Sequence, residues 1–313
     1  MFAYFVRRLF TMILVLLLVT IIVFFAMRLA PGDPARQILG PLASQEKVEE
    51  LRQELHLDKS IWIQYGIWFK NALQGDLGKS IASKASTIEL VQSRIGNTLE
   101  LTISAFIITV VLAILAGVIS AVKQYTFLDN IVTFSSLFWL SMPRFWLGLM
   151  FMLLFATRIR WLPISGMGGP IGTWDNLIHL ILPALTLGLP RMGSLTRIVR
   201  SSMLNVLRQD YVTTAKSKGL KHRKVIFKHA LRNALNPVIT MIGLQLPWLF
   251  GGSVIVETVF SWPGIGRLLT TAIFERDYPL IQTVAIGYTV IVVLANLLAD
   301  IAYAISDPRI RLQ

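Results

Sequence analysis

Four uncharged apolar runs, residues 9–27, 101–122, 233–256 and 278–299, are each long enough to cross a lipid bilayer. A hydrocarbon core of ~30 Å needs about 20 apolar residues in a helix rising 1.5 Å each. Two further runs are interrupted. Residues 130–157 carry one charge, Arg144, directly after Pro143. Neither half can span alone, so one kinked helix is expected. Residues 176–190 are short and extend to about 196 if the Arg191 side chain snorkels to the interface. The reading is an all-α integral membrane protein with six transmembrane helices. Composition agrees, since only 15% of the chain is charged, against roughly 25% in soluble domains.

Charge is as uneven as hydropathy. Residues 197–232 hold ten Lys/Arg against one acid, Asp210, and so supply most of the formal net charge of +13. With six spans and both termini inside, Arg7, Arg8, Lys123, this basic island, Arg309 and Arg311 all fall on one side. Residues 31–97, where eight acids balance eight bases, fall on the other. Lys and Arg collect on cytoplasmic loops, which makes the island cytoplasmic and 31–97 extracytoplasmic. A basic chain can also mean nucleic acid, but membrane topology accounts for the charge. The expected divisions are 1–30 (cytoplasmic residues and first helix), 31–97 (an outer subdomain) and 98–313 (a five-helix core containing the 197–232 loop). The 9–27 run exceeds a signal-peptide core, and no small-x-small cleavage site follows it. It reads as an uncleaved span.

Chemistry-bearing motifs are scarce. The stretch GDLGKS (75–80) ends like a phosphate-binding loop, but Leu73 stands where the pattern needs its first glycine. With no cysteine, and with His56, His179, His222 and His229 on separate loops or span ends, no metal site emerges. No nucleophile elbow or carboxylate pair suggests an enzyme. Glu257, near a span end, and Trp262 are the weak candidates for a substrate path. In 31–97, Val48, Leu51, Leu55 and Leu57 recur at near-helical spacing, and the aromatics of IWIQYGIWF suit an interface. Ala113, Gly117 and Ala121 suit close helix packing.

The island has internal order. Met203, Val206/Leu207, Tyr211 and Thr214/Ala215 follow helical spacing from about 202 to 218. Gly219 stands just past that helix, where positive φ is needed. A second helix begins near Lys221. Helix, glycine turn, helix is also how a DNA-reading motif looks, but membrane spans follow within a few residues at both ends. The unit therefore suits docking to a cytoplasmic protein.

At these residues the chain resembles permease subunits of binding-protein-dependent ATP-binding-cassette (ABC) importers. Their loop reads EAA, three residues, Gly, then about nine residues to I-x-L-P. Here Thr213-Thr214-Ala215, three residues, and Gly219 hold that register, with His229-x-Leu231 at the I-x-L position. Thr213 replaces the glutamate and Arg232 the proline, as in the dipeptide/oligopeptide/nickel branch, whose loop is similar to DYVTTAKSKGL followed by HALRNAL. PGDP (31–34), GDLGKS, MPRFWLG, LPISG, VETVFSWPGIGRLL, RDYPLIQ (276–282) and DPRIR (307–311) also resemble that branch. Arg144 departs from it, standing where a small polar residue is commoner.

The resemblance implies a type I importer permease in a bacterial or archaeal cytoplasmic membrane, termini inside. It implies a second, related permease, two cytoplasmic ATPases and an extracytoplasmic binding protein as partners, besides membrane lipids. ATP and Mg would sit on the ATPases, with no cofactor on this chain. Asp210, Tyr211, Thr213, Thr214, Ala215, Gly219, Leu220, His229 and Leu231 become the coupling residues. The cargo stays open among dipeptides, oligopeptides, glutathione, nickel chelates and other small solutes. An ATP-independent secondary transporter or channel is the alternative.

Overall fold

The computed structural model describes residues 2–29, 34–40, 43–54 and 56–306. Residues 31–33 of PGDP, Leu55 and the DPRIR segment lie outside the described residues. The chain divides into two compact units, Met1–Ile95 with Leu268–Ile291, and Gly96–Arg267 with Val292–Gln313.

The first unit begins with α1 (Phe2–Leu29), followed by the short helices α2 (Pro34–Leu39), α3 (Gln45–Glu54) and α4 (Ile61–Leu73). The aromatics of α4 pack on α1. Tyr65 and Trp68 stand 5.4 and 5.6 Å from the Phe24 ring, Trp62 stands 4.8 Å from Phe25, and the Thr20 and Tyr65 hydroxyls share a hydrogen bond of 3.0 Å. Such rings add edge and offset attractions to the area they bury. GDLGKS is a brace. Gly75 and Gly78 take φ of +86° and +88°, and the Asp76 carboxylate accepts the Gly78 N–H at 2.9 Å. The Ser80 hydroxyl donates to Asp277, whose carboxylate also accepts the N–H of Ala82 (3.3 Å) and of Leu280 (3.3 Å). The serine that a nucleotide loop would turn to a metal is thus tied to RDYPLIQ. The Thr283 hydroxyl donates to that of Thr87 at 2.8 Å.

The second unit is organised around α8 (Trp174–Leu207), a 34-residue helix that runs unbroken through Pro183 and Pro190. Most of α5 (Thr87–Val122) packs along it. Ala113 and Ala121 are buried, and Gly117 leaves room for Val199 and the Thr196 carbonyl, which would stand 2.6 and 2.9 Å from any added Cβ. The small-residue spacing is therefore a packing seam. Helices α6 (Phe127–Ser141) and α7 (Arg144–Phe151) follow, the latter continuing as a π-helical turn, Met152–Arg158. The single kinked helix expected here is two helices meeting at 108°. Met142 and Pro143 are both extended, with ψ of 127° and 134°, because a proline pushes the preceding residue out of the helical region.

After α8 come α9 (Asp210–Ser217), α10 (His222–Lys224), a π-helical segment (Val225–Leu231), α11 (Arg232–Val259), α12 (Ile265–Glu275) and α13 (Tyr278–Ser306). Among the described residues, five helices are long and apolar enough to cross a membrane, and six spans result if the bent α6–α7 pair counts as one. Arg191 does not reach for the helix end. Its guanidinium lies over the Trp248 ring of α11, 4.7 Å from the centroid.

Candidate coupling site

The helix expected from about 202 to 218 is broken. α8 ends at Leu207, Gln209 turns the chain with an extended backbone (ψ 147°), and α9 starts at Asp210. On its inner face α9 buries Val212 and Ala215 against Val225 of the π segment. Leu220 half-covers this small core. Its outer face presents Asp210, Tyr211, Thr213 and Thr214 to solvent. Thr214 and Ser217 turn their hydroxyls to carbonyls one turn back, of Asp210 (2.9 Å) and Thr213 (3.1 Å), so they cap nothing outside the helix.

Gly219 closes α9 at φ +73°, with its N–H donating to the Lys216 carbonyl at 3.0 Å. The left-handed turn read from the sequence is present, and an added Cβ would meet no atom within 4 Å. The backbone conformation, not lack of space, therefore selects glycine. His229 and Leu231 lie in the π segment, both half-buried, with Leu231 against the main core. The Asn233 amide at the head of α11 donates to the Tyr211 hydroxyl at 2.8 Å and so ties α9 to α11. The nine residues expected to couple thus divide. Asp210, Tyr211, Thr213, Thr214 and Gly219 are exposed, whereas Ala215 is buried and Leu220, His229 and Leu231 are half-buried, with Ala215 and Leu220 in the core that backs α9.

Glu257 and Trp262 are both fully buried. Glu257 accepts the Thr98 hydroxyl at 2.9 Å and the Arg267 N–H at 3.0 Å, while Thr98 in turn accepts the Ile265 N–H at 2.8 Å. The Trp262 indole donates to the Asn97 carbonyl at 2.9 Å, and the Asn97 amide returns a bond to the Pro263 carbonyl at 2.8 Å. The turn after α11 is therefore a polar knot, and the structure gives these two residues an anchoring place.

One pair was invisible in the sequence. Arg200, counted there as island charge, grips Asp129 of α6 with Nε at 2.9 Å and a terminal nitrogen at 2.8 Å. Asp129 also accepts the Ser120 hydroxyl and, at 3.0 Å, the Tyr125 N–H. A two-pronged arginine–carboxylate contact is among the stronger side-chain interactions. It joins α5, α6 and the last turns of α8, next to α9. The only sequence signal was an acid near the start of an otherwise uncharged helix.

Comparison with known proteins agrees with this architecture. The family model described as "Binding-protein-dependent transport system inner membrane component" matches residues 113–312, and its N-terminal companion matches 1–102. The oligopeptide transport system permease protein AppB of Bacillus subtilis is 43% identical over 99% of both chains. The dipeptide transport system permease protein DppB of Alkalihalophilus pseudofirmus is 42% identical over 99% of this chain and all of its own. The glutathione transport system permease protein GsiC of Escherichia coli is 39% identical over 99% of both. A subunit of the inward-facing MetNI methionine ABC transporter superposes with a TM-score of 0.58 at 15% identity, over 70% of this chain and 97% of its own, and shows the fold. This fold, the glycine-closed α9 and the family match converge on one conclusion. The chain belongs to the binding-protein-dependent transport system inner membrane components, as the multi-pass permease subunit of an ABC importer whose family works with an ATPase and a binding protein.

Proposed function

We propose that this permease carries short peptides or similar small solutes and is driven through the exposed face of α9. The observation that carries the reading is α9 itself. It is an eight-residue helix with a solvent-facing side, closed by a positive-φ glycine and backed by its own small core. ATP binding closes a pair of cytoplasmic ATPases, α9 moves with the cleft that holds it, and the helices joined to it tilt between inward-open and outward-open states. The second permease is a related chain, and the binding protein delivers cargo on the side of residues 31–97. Nucleotide and Mg belong to the ATPases. This chain supplies a path and a lever and catalyses no reaction. Peptide cargo is supported by the oligopeptide, dipeptide and glutathione relatives.

The importer, purified with its partners and placed in vesicles, should accumulate members of a mixed di- to hexapeptide pool only with ATP and the binding protein. Accumulation without ATP would favour a secondary transporter or channel. Orientation has its own test. Ser83 and Ser217 are exposed and the chain has no native thiol. Ser83→Cys should label only from outside and Ser217→Cys only from the cytoplasm, and the reverse pattern would invert the topology.

A further inference from the structure

Two cations occupy the apolar middle of the second unit without a carboxylate beside them. Arg144 opens α7 directly after the break at Pro143, and Arg191 lies midway along α8. Both reach α11. Arg191 stacks on Trp248 at 4.7 Å. The Arg144 guanidinium lies against the bare backbone of Gly252, where any Cβ would collide with it. Trp248 and Gly252 are four residues apart, so the two guanidiniums meet positions on neighbouring turns of one helix face, which are about 5–6 Å apart in an α-helix. Among the described residues, neither side chain forms an ion pair or a hydrogen bond. Packing does not require them, since Leu or Met would fill the volume without desolvating a charge. Ionisable groups at membrane depth mark ligand paths by default.

We propose that Arg144 and Arg191 form a carboxylate-binding station on the translocation path, which takes the free carboxylate of a small organic cargo such as a peptide C-terminus. The peptide form of that cargo rests on the function proposed above. A guanidinium fork matches a carboxylate with two parallel hydrogen bonds, which a lysine cannot do. Trp248 holds the Arg191 plane from one side by cation–π attraction and remains 63% exposed. On the same stretch of α11, Gly251 has nothing within 4 Å of an added Cβ. One turn further along α8, a groove of about 450 Å³ is lined by Ser194, Arg197 and Ser201, of which Arg197 and Ser201 would give an anion leaving the pair its next donors.

The test uses the complete importer in phosphatidylcholine nanodiscs. It is titrated with 4-bromobenzoate, whose bromine quenches indole fluorescence on contact, and with neutral 4-bromobenzamide. Wild type minus Trp248→Phe isolates the Trp248 signal. Quenching by the acid should saturate, and should be at least about 10-fold weaker for the amide and in Arg144→Gln or Arg191→Gln, because charge-assisted bonds are lost. Arg144→Lys and Arg191→Lys should keep part of it. Equal quenching by acid and amide, or acid quenching unchanged in both glutamine variants, overturns the station whatever the cargo is. Displacement of the acid by added phosphatidylglycerol assigns the pair to a lipid headgroup and overturns it too. So does loss of the second permease from the purified glutamine variants, which would make the pair an interface charge. In vesicles, a peptide carried by wild type should lose its preference over its C-terminal amide by about 10-fold in the glutamine variants. A preference unchanged in both would refute the station. Saturable, acid-specific quenching with no peptide accumulated would instead sink the peptide reading and leave the carboxylate site standing.

Discussion

The two ends of α11 are built in opposite ways. At its head, α9 and the π segment meet through three small buried side chains, Val212, Ala215 and Val225, and one exposed hydrogen bond from Asn233 to Tyr211. At its far end, a fully buried carboxylate gathers Thr98 and the Arg267 N–H, while Trp262 and Asn97 exchange bonds across the same turn. Elements with few buried contacts open at low free energy, whereas buried networks move as one. A lever needs one compliant end and one fixed end. At the head of α11 the compliant part is the attached α9, which in the proposed mechanism carries the face offered to the ATPase.

The comparison is broken most directly at the fixed end. Glu257→Ala leaves the Thr98 hydroxyl and the Arg267 N–H without their acceptor inside the protein. Each orphaned buried donor costs about 1–3 kcal/mol, so the variant should lose about 3 kcal/mol or more. The thermal midpoint of the purified importer should fall, with uptake and assembly lost together. Trp262→Ala should be comparable, at about 3–5 kcal/mol. A Glu257→Ala importer that is as stable as wild type yet inactive would restore a role on the substrate path.

The compliant end should fail differently. Gly219 takes φ +73° in open space, so valine strains the backbone without a clash, at about 1–3 kcal/mol. That shifts a docking equilibrium by roughly 5- to 150-fold. Gly219→Val should therefore leave the membrane helices folded while ATPase co-purification or ATP-driven uptake falls. Gly219→Asn should be milder, since asparagine tolerates the left-handed region. If Gly219→Val lowers the thermal midpoint as much as Glu257→Ala does, the two ends do not differ and the lever reading fails.

How much of this the sequence disclosed depended on range. Apolar runs gave the long helices because bilayer thickness sets their length, and Gly219 gave its turn because few other residues take positive φ. The break before α9 was hidden. Val206/Leu207 and Tyr211 keep helical phase across it, and Gln209 is neither proline nor glycine. Pro143 announced a bend, yet whether a proline kinks a helix or ends it is decided by packing on both sides. The knot and the Asp129–Arg200 grip were the least legible. Thr98 and Glu257 are 159 positions apart, and Asp129 and Arg200 are 71 apart, so only the folded chain brings them together. The same holds for Arg144 and Arg191, which the sequence showed as two isolated interruptions.

The smallest expected effects lie on the surface of the compliant end. Lys221 and Lys224 are exposed. What Lys221 contributes to the turn is its carbonyl, which accepts the N–H of Lys224 at 2.8 Å and of Val225 at 3.1 Å. Alanine keeps that carbonyl. Lys221→Ala and Lys224→Ala should therefore stay within about 0.5 kcal/mol of wild type, with uptake changed by no more than about 2-fold, the factor to which that energy converts. Tyr211→Phe removes an acceptor at a site that water already reaches, and should match them in stability. In ATPase co-purification it should fall between the lysines and Gly219→Val, because Tyr211 lies on the proposed docking face. Should the lysine changes uncouple the importer more than Gly219→Val does, α9 is held by charge, and a glycine-closed elbow is not what makes this end of α11 compliant.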